Sequence, residues 1–330
     1  MDIRVIDKNM AGLENSNSSD IKYYDLNNEF LRGRAFNTGL HRLRQTDIVS
    51  KNVEVLQKHP SGFNISFKTN ANKIKIRVKM ATKAYMNHMT AVGQIGFDLY
   101  YKNNDKYVFL ATTKVNAVEF DITLVEGMDD SNKEFRIYFP LYAECLSAEV
   151  GINEDAEIEF IKEDKEKVVI YGTSISQGGS ATRPGMSYPN ILDRITNYEY
   201  INLGFSGSAH LELEMADILN EIDKKYLILE VEANNSQESL MNKLPGFIEK
   251  LQCDKIFLIS HFPETITLLK QDYQKVFREN AEFQRSMDKV TFIDGYELLK
   301  ELDYDGTVDG IHLTDLGFYL LAQKLKEILK

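Results

Sequence analysis

A serine and an acid–imidazole pair are the residues of this sequence whose types and spacing best suit a chemical reaction. Ser174 follows the apolar run 168–171 and a Gly-Thr pair, and Asp309 and His312 lie three positions apart late in the chain. A hydroxyl nucleophile, an imidazole base and a carboxylate that orients the imidazole are the groups that acyl transfer through serine requires. These three residues therefore form a candidate catalytic set.

Each member of this set also has an ordinary structural interpretation. A serine after a strand commonly caps the next helix, and Ser174 does not lie in the Gly-x-Ser-x-Gly elbow of α/β-hydrolases. Asp309 and Thr314 suit turn and cap positions, which would leave His312 merely on the surface. Because a spacing of three on a turn places two side chains on one side, Asp309 can instead orient His312 toward Ser174.

Two further loops follow predicted strands and offer oxyanion donors. Gly207 lies after the strand 200–203, and a glycine lets its backbone N–H approach a reacting atom closely. Asn234 follows the strand 226–231, and its side-chain amide is an uncharged donor. The structural alternatives are a helix-entry glycine and an Asx turn. Ser174, Gly207, Asn234 and the Asp309–His312 pair lie in four loops of one predicted sheet. A purely structural interpretation is much less convincing for all four together than for any one of them.

The elements that position these residues follow two periodicities, the first of which has a period of two. The run 74–80 alternates apolar residues with Lys75, Arg77 and Lys79, which predicts a half-buried strand with one wet face. Short strands separated by polar turns predict an antiparallel β-sandwich of jelly-roll type from about 21 to 159. The other predicted strands of this half are 62–67, 95–101, 107–112, 118–124 and 135–139.

After the charged stretch 162–167, apolar strands alternate with longer amphipathic segments. This alternation predicts a parallel sheet covered by helices on both faces, a three-layer α/β/α arrangement. We therefore expect a sandwich domain over 1–163 and an α/β domain over 164–330. The predicted strands of the second domain are 168–171, 200–203, 226–231, 255–259 and 290–293. Its predicted helices lie near 188–195, 211–222, 240–251, 268–287 and 316–329.

Composition limits the partners of this chain of 330 residues. A formal net charge of −11 argues against binding nucleic acid, and two cysteines indicate neither a disulfide framework nor a zinc site. The first twenty residues contain no apolar signal segment, and no stretch is long enough to span a bilayer. We expect a cytoplasmic protein without a metal or other cofactor and without a membrane partner. The sequence leaves open a homo-oligomer.

Taken in order, these blocks resemble those of the SGNH, or GDSL-type, esterase superfamily, across essentially the whole C-terminal half. The resemblance implies a flavodoxin-like fold for that half, with Ser174 as the nucleophile and Asp309 and His312 as the late D-x-x-H pair. It also implies an oxyanion hole formed by the Ser174 backbone, Gly207 and Asn234.

The N-terminal half carries Gly-Phe-Asp-Leu-Tyr at 96–100, which resembles the G-x-D-L-Y β-sandwich domain that precedes one SGNH subgroup. The stretch 172–189 is similar to the first block of that subgroup. Two positions depart from the usual motifs, since Gly-Asp-Ser is Gly-Thr-Ser here and Gly-x-Asn-Asp is Glu-Ala-Asn-Asn. By analogy with a Pro-Asn pattern in the subgroup, Asn234 rather than Asn235 is predicted to be the amide donor.

The resemblance implies a serine esterase that acts through an acyl-serine on a small-molecule or oligosaccharide ester, with acetylated sugars as the leading substrate class. Two other interpretations remain open: an acyltransferase that uses the same site, and a carbohydrate-binding protein with an inactive hydrolase half. Arg183 and His261 are candidate substrate-binding residues because their loops are expected to edge the pocket. His88 lies on a candidate rim loop at 85–89, for which simple packing between domains is the alternative.

Overall fold

In the computed structural model, which describes residues 2–16 and 20–330, the first half of the chain forms antiparallel sheets. Its strands are β1 (Ile21–Asp25), β2 (Asn64–Thr69), β3 (Ile74–Met80), β4 (Asp98–Asn103), β5 (Lys106–Thr112), β6 (Glu119–Val125), β7 (Lys133–Tyr138), β8 (Cys145–Asn153) and β9 (Ile158–Phe160). One sheet has the order β1-β8-β3-β6 and the other β5-β4-β7-β2-β9. Apolar side chains from both sheets share one core, so the predicted antiparallel sandwich is confirmed.

Strand β3 shows how the alternating pattern becomes a buried face, and where that pattern misleads. Ile74, Ile76 and Val78 are buried in the sandwich core, as predicted. Lys75, however, is also fully buried. Its ammonium group forms an ion pair with Asp121 at 2.8 Å, which offsets the cost of burying the charge. The prediction of a wet face along the whole strand is therefore wrong at this position.

The second half forms a five-stranded sheet in which every neighbouring pair is parallel. Its strands are β10 (Lys167–Gly172), β11 (Glu199–Gly204), β12 (Tyr226–Glu230), β13 (Ile256–Ile259) and β14 (Val290–Ile293), in the order β11-β10-β12-β13-β14. Successive residues of β10 face opposite cores, with Val169 in one and Val168 in the other. A parallel sheet buried on both faces confirms the predicted α/β architecture.

Helices cover this sheet and connect its strands. The α-helices of the described chain are α1 (Ile3–Ile6), α2 (Lys51–Leu56), α3 (Ala91–Ile95), α4 (Ser174–Gln177), α5 (Tyr188–Ile195), α6 (Leu213–Glu221), α7 (Gln237–Lys250), α8 (Gln271–Arg285), α9 (Gly295–Leu299) and α10 (Asp315–Ile328). Within residues 2–16 and 20–330, none of them has the length and apolar character that crossing a bilayer requires.

The segment that joins β1 to β2 leaves the sandwich and packs against the parallel sheet. Leu43 and Val53 are buried in the core on one face of that sheet, among residues of β10, β11 and α6. This segment belongs to the first predicted domain, 1–163. The link between the two sets of strands comes later, since β9 ends at Phe160 and β10 begins at Lys167. The two halves are therefore interleaved near the carboxyl edge of the parallel sheet, where such sheets place their ligand sites.

Candidate active site

Ser174 is the first residue of α4, directly after the sharp turn at the carboxyl end of β10. The Thr173 hydroxyl caps α4 by accepting a hydrogen bond from the Ile175 N–H at 3.2 Å. The helix ends after a single turn at Gly178, which has a φ of 102°. Only 9% of the Ser174 surface remains exposed. The turn therefore presents one hydroxyl at the surface from an otherwise buried backbone.

The structure brings Ser174, His312 and Asp309 into one hydrogen-bonded chain. Ser174 Oγ lies 3.0 Å from His312 Nε2, and His312 Nδ1 lies 2.8 Å from Asp309 Oδ2. Partial burial raises the pKa of Asp309, but its hydrogen bonds with the side chain and backbone of His312 outweigh this and leave the pKa below its usual 3.8. An ionised Asp309 favours the imidazole tautomer that carries its proton on Nδ1, which leaves Nε2 free to accept from Ser174.

Asp309 and His312 are held mainly by short-range contacts of their own loop. Asp309 Oδ1 accepts hydrogen bonds from the backbone N–H groups of Ile311 at 3.1 Å and His312 at 2.8 Å. The Val308 N–H donates to His312 O at 2.8 Å, which closes the loop upon itself. Thr314 then caps α10 through the Gly317 N–H. This local order explains how a D-x-x-H spacing can place both side chains.

Two backbone N–H groups, those of Ser174 and Gly207, are unused within the described part of the chain. Neither the Ser174 N–H nor the Gly207 N–H donates to a protein acceptor there. Gly207 has a φ of 63°, and a Cβ added to it would meet no atom within 4 Å. Glycine is favoured at such a φ, so the residue type fits the turn as well as a role as an oxyanion donor.

The hydrogen bonds of the two adjacent asparagines distinguish their roles. Asn235 Nδ2 donates to Ala209 O at 2.8 Å and to Val231 O at 2.9 Å, so its amide is committed to holding the loop. Asn234 Oδ1 accepts from the Ala209 N–H at 3.2 Å, while Asn234 Nδ2 has no acceptor among residues 2–16 and 20–330. The free N–H groups of Asn234 leave it able to donate to a ligand, and its role as the amide donor stays a prediction.

The turn 172–178, which carries the candidate nucleophile Ser174, is called the nucleophile turn here. Residues from the first half of the chain stabilise this turn through Gln177. Ser61 Oγ donates to Gln177 O at 2.6 Å, and Gln177 Nε2 lies 3.2 Å from His59 Nδ1. Gln177 Oε1 in turn accepts from the Ser206 N–H at 2.9 Å, next to Gly207. Burial, together with the charge of Arg42, lowers the pKa of His59 to about 3, so His59 is a neutral acceptor there. Sequence reasoning missed these bracing residues.

Arg42 is a second brace that sequence reasoning missed. Its fully buried guanidinium donates to the carbonyl oxygens of Asn202 at 3.2 Å and Gly204 on β11, and it stacks on Phe205 at 4.5 Å. Burial lowers the pKa of Arg42 to about 9. No carboxylate within residues 2–16 and 20–330 forms an ion pair with Arg42, so its compensation is these hydrogen bonds, a further one to Leu56 O at 2.7 Å and the contact with Phe205.

Arg183 connects the two halves of the molecule. Its guanidinium forms an ion pair with Asp98 at 2.8 Å, donates to Tyr100 Oη at 2.6 Å and covers the Phe109 ring. Asp98 belongs to the Gly-Phe-Asp-Leu-Tyr run and also accepts from the Gly185 N–H at 2.8 Å. Both side-chain hydrogen bonds of Arg183 come from Nη1, so Arg183 is a clamp between the two halves, and its contact with substrate stays a prediction.

His88 reaches the site from the sandwich half. Its exposed ring lies 5.8 Å from the ring of His312. One ligand atom from each of His88, Asp309 and His312 lies within 4.8 Å of the others, so these three side chains form a group that could hold a metal ion. A metal there would compete with the hydrogen bond between Asp309 and His312, and the three-residue hydrogen-bonded chain needs no metal for acyl transfer.

His261 lines a cavity of about 280 Å³ at the carboxyl ends of β13 and β14. Its ring stacks on Phe277 at 4.2 Å, and burial raises the pKa of the neighbouring Glu264. The segment that follows β13 contacts the loop of Asp309 and His312, which we call the acid–base loop, since the Thr265 N–H donates to Gly310 O at 3.2 Å. Residues lining the cavity include His261, Glu264, Phe277, Arg278, Tyr296 and Tyr304. This cavity is therefore a neighbour of the catalytic candidates.

Comparison with known families agrees with this arrangement. A sequence model of the GDSL-like lipase/acylhydrolase family matches residues 165–330, and one for the N-terminus of SGNH-hydrolase-type esterases matches residues 21–158. The chain belongs to the GDSL-like lipase/acylhydrolase family. None of the curated proteins matches this sequence.

Solved structures extend the likeness of this family member over nearly the whole chain. A GDSL-like lipase from Bacteroides ovatus is similar with 32% identity and a TM-score of 0.87, over 94% of this chain and 97% of that one. The salicylyl-acyltransferase SsfX3 from a tetracycline biosynthetic pathway has 15% identity and a TM-score of 0.67, over 96% and 95%. A family two carbohydrate esterase from Clostridium thermocellum has 15% identity and a TM-score of 0.56, over 82% and 91%. The last two show a shared fold.

Proposed function

We propose that this protein is a serine esterase that hydrolyses short acyl esters of carbohydrates through an acyl-serine intermediate. The observation that carries the proposal is the chain from Ser174 Oγ to His312 Nε2 at 3.0 Å and from His312 Nδ1 to Asp309 Oδ2 at 2.8 Å. These distances allow proton transfer without rearrangement of the side chains.

In the first half of the reaction, His312 Nε2 accepts the Ser174 hydroxyl proton while Oγ forms a bond to the ester carbonyl carbon. The tetrahedral intermediate collapses as the bond to the alcohol oxygen breaks, and the imidazolium returns its proton to that oxygen. Asp309 stabilises the imidazolium throughout. Water then repeats the cycle on the acyl-serine, releasing the acid and restoring the hydroxyl.

The oxyanion would be held by the Ser174 N–H, the Gly207 N–H and the Asn234 amide. Each has an N–H group without an acceptor within the described chain. Donors that are already oriented, and need not first break another hydrogen bond, stabilise a developing charge most effectively. The proposed mechanism requires N–H donors of this kind to bind the oxyanion.

A small acyl group and a carbohydrate alcohol are the finer part of the proposal. Burial of all but 9% of Ser174 favours a short acyl chain. The cavity beside the acid–base loop combines the rings of Phe277 and Tyr296 with the carboxyl group of Glu264. Sugars pack their apolar faces on aromatic rings and hydrogen-bond through their hydroxyls, so this cavity suits the alcohol part. The carbohydrate esterase of similar fold agrees with this choice.

A fluorophosphonate probe tests the catalytic assignment. We expect labelling of the native protein at Ser174 and none of Ser174→Ala at equal thermal stability. Turnover of acetyl, butyryl and octanoyl p-nitrophenyl esters should decrease in that order and vanish in the variant. Labelling that persists in Ser174→Ala would refute the nucleophile. Product analysis with an added alcohol acceptor separates hydrolysis from acyl transfer.

The carbohydrate assignment has its own test on α8. Phe277→Ala should lower the ratio of kcat/KM for an acetylated sugar to that for p-nitrophenyl acetate at least tenfold. Tyr273→Ala is the matched control, because Tyr273 lies on the same helix, is 45% exposed and does not line the cavity. Equal ratios in both variants would show that the cavity does not hold the sugar.

A further inference from the structure

A buried carboxyl group lies directly beneath the turn that carries Ser174. Glu230 is the last residue of β12, is 3% exposed, and pairs in register with Gly172 of β10. Its oxygens accept hydrogen bonds from the Thr173 N–H at 3.1 Å, from Thr173 Oγ1 at 2.8 and 3.0 Å, and from Ser176 Oγ at 2.9 Å. The donors thus come from both sides of the proposed nucleophile.

This carboxyl group has no cationic partner within residues 2–16 and 20–330. The other titratable groups around it are phenols: Tyr188 Oη lies 2.8 Å from Ser176 Oγ, and Tyr142 Oη donates to Ser174 O at 3.2 Å. Burial raises the pKa of Glu230 to about 7 against the opposing effect of its hydrogen bonds. A buried acid without a cation is costly to ionise, and the fold places it at its most reactive turn.

We propose that the Glu230 carboxylate is a positioning residue, which holds Thr173 and Ser176 so that the Ser174 hydroxyl and N–H keep the orientation that attack requires. It touches neither substrate nor the reacting atoms. Its effect passes through the backbone on either side of Ser174.

The hydrogen-bond pattern favours the ionised form for this task. Both oxygens accept, from one N–H and two hydroxyl groups, and a carboxylate is an acceptor only. Protonation would convert one oxygen into a donor and so change the set of hydrogen bonds that holds Thr173 and Ser176. Thr173 stands where the usual family motif has an aspartate, and its hydroxyl donates to the carboxylate that β12 supplies.

The decisive variant is Glu230→Gln, compared with Glu199→Gln. Glu199 is also buried, at 8% exposure, but it is the first residue of β11 and accepts from the Gly33 N–H at 2.8 Å, at the opposite edge of the sheet from the nucleophile turn. With p-nitrophenyl acetate, Glu230→Gln should lower kcat by roughly 10- to 100-fold with KM within about twofold, as expected for a misplaced reacting group. Glu199→Gln should keep kcat within about twofold.

A pH profile separates positioning from a merely structural role. On the acidic side, log kcat/KM of the native enzyme should fall with a slope steeper than one over roughly one to two decades of activity, because protonation of Glu230 should lower activity about as far as Glu230→Gln does and the proposed base His312 must also be unprotonated. Glu230→Gln should show a slope of one throughout. The same slope in both proteins, or an unchanged kcat in Glu230→Gln, would overturn the proposal.

Two further measurements keep the proposal testable. If Glu230→Gln does not fold, Thr173→Val removes one donor to the carboxylate and should lower kcat in the same direction; an unchanged kcat there would contradict it. Because the proposal assumes the serine mechanism, fluorophosphonate labelling is measured in parallel. A native protein that fails to label refutes the proposed function, whereas equal labelling rates in the native protein and Glu230→Gln refute only the role of Glu230.

Discussion

The nucleophile turn and the acid–base loop carry parts of the same proposed reaction, but they are held in place in different ways. Ser174 is buried, and contacts from β12, from the Gly207 loop and from the segment between β1 and β2 all reach its turn. Asp309 and His312 are more exposed, and most of the hydrogen bonds that shape their loop join residues only a few positions apart, the exception being the one that Gly310 O accepts from the Thr265 N–H. One side depends on the whole molecule and the other mainly on its own sequence.

This difference suggests how each side responds to change. A loop stabilised by local hydrogen bonds can tolerate altered surroundings but not loss of its own side chains. A turn stabilised by distant elements can lose alignment through a substitution far from the reaction. The following predictions test that distinction, beginning with the largest effect.

Loss of the base from the acid–base loop should have the largest effect. His312→Ala is expected to lower kcat for p-nitrophenyl acetate by on the order of 10⁶-fold, because the nucleophile then has no proton acceptor. Steady-state kinetics with thermal unfolding as the folding control provides the measurement. Activity close to that of the native protein would exclude His312 as the base.

The asparagine pair tests the nucleophile side at the next level. Asn234→Ala should lower kcat by about 10²–10³-fold with little change in KM, as for loss of one oxyanion donor. Asn235→Ala should instead lower the free energy of unfolding by about 1–3 kcal/mol, since two buried carbonyl groups lose their donor. If the kinetic loss occurs in Asn235→Ala, the two roles are reversed.

The distant brace should have a smaller kinetic effect. Arg42→Met leaves the carbonyl groups of Asn202 and Gly204 without this donor, so we expect a roughly tenfold lower kcat and a loss of stability of about 3 kcal/mol. Arg44→Met is the control from the same segment, because the Arg44 side chain forms its ion pairs with Asp47 and Glu221 and none of its hydrogen bonds reaches β11. Equal kinetics in both variants would show that the brace does not affect alignment.

The smallest expected effect concerns stability against pH on the acid–base side. The pKa of Asp309 is lowered in the folded protein, so its contribution to stability is present above its unfolded pKa of about 3.8 and is lost as the pH falls through the folded value. Asp309→Asn should therefore reduce the stability difference between pH 7 and pH 2 in urea unfolding. An undiminished difference would show that the carboxylate does not stabilise its loop.

Much of the fold follows from local patterns. All five parallel strands and the five longer helices of the second half lie within a few residues of their predicted positions, because alternating apolar strands and amphipathic helices have strong periodic signals. The short helices α4 and α9 were not predicted. In the sandwich, β1, β8 and β9 were not predicted. Strand β8 contains glycine and small polar residues, and it becomes a strand through its pairing with β1 and β3 rather than through its own propensity.

By itself, the sequence determined the two-part architecture, the candidate catalytic residues and the oxyanion candidates, since these rest on periodicity and on short motifs. The tertiary structure alone decided which asparagine amide is free, that Arg183 joins the two halves, and that Arg42, His59 and Glu230 surround the nucleophile turn. Such contacts join residues far apart in the chain through single hydrogen bonds. Hydrogen bonds of that kind leave no periodic trace in a sequence, so only the folded chain reveals them.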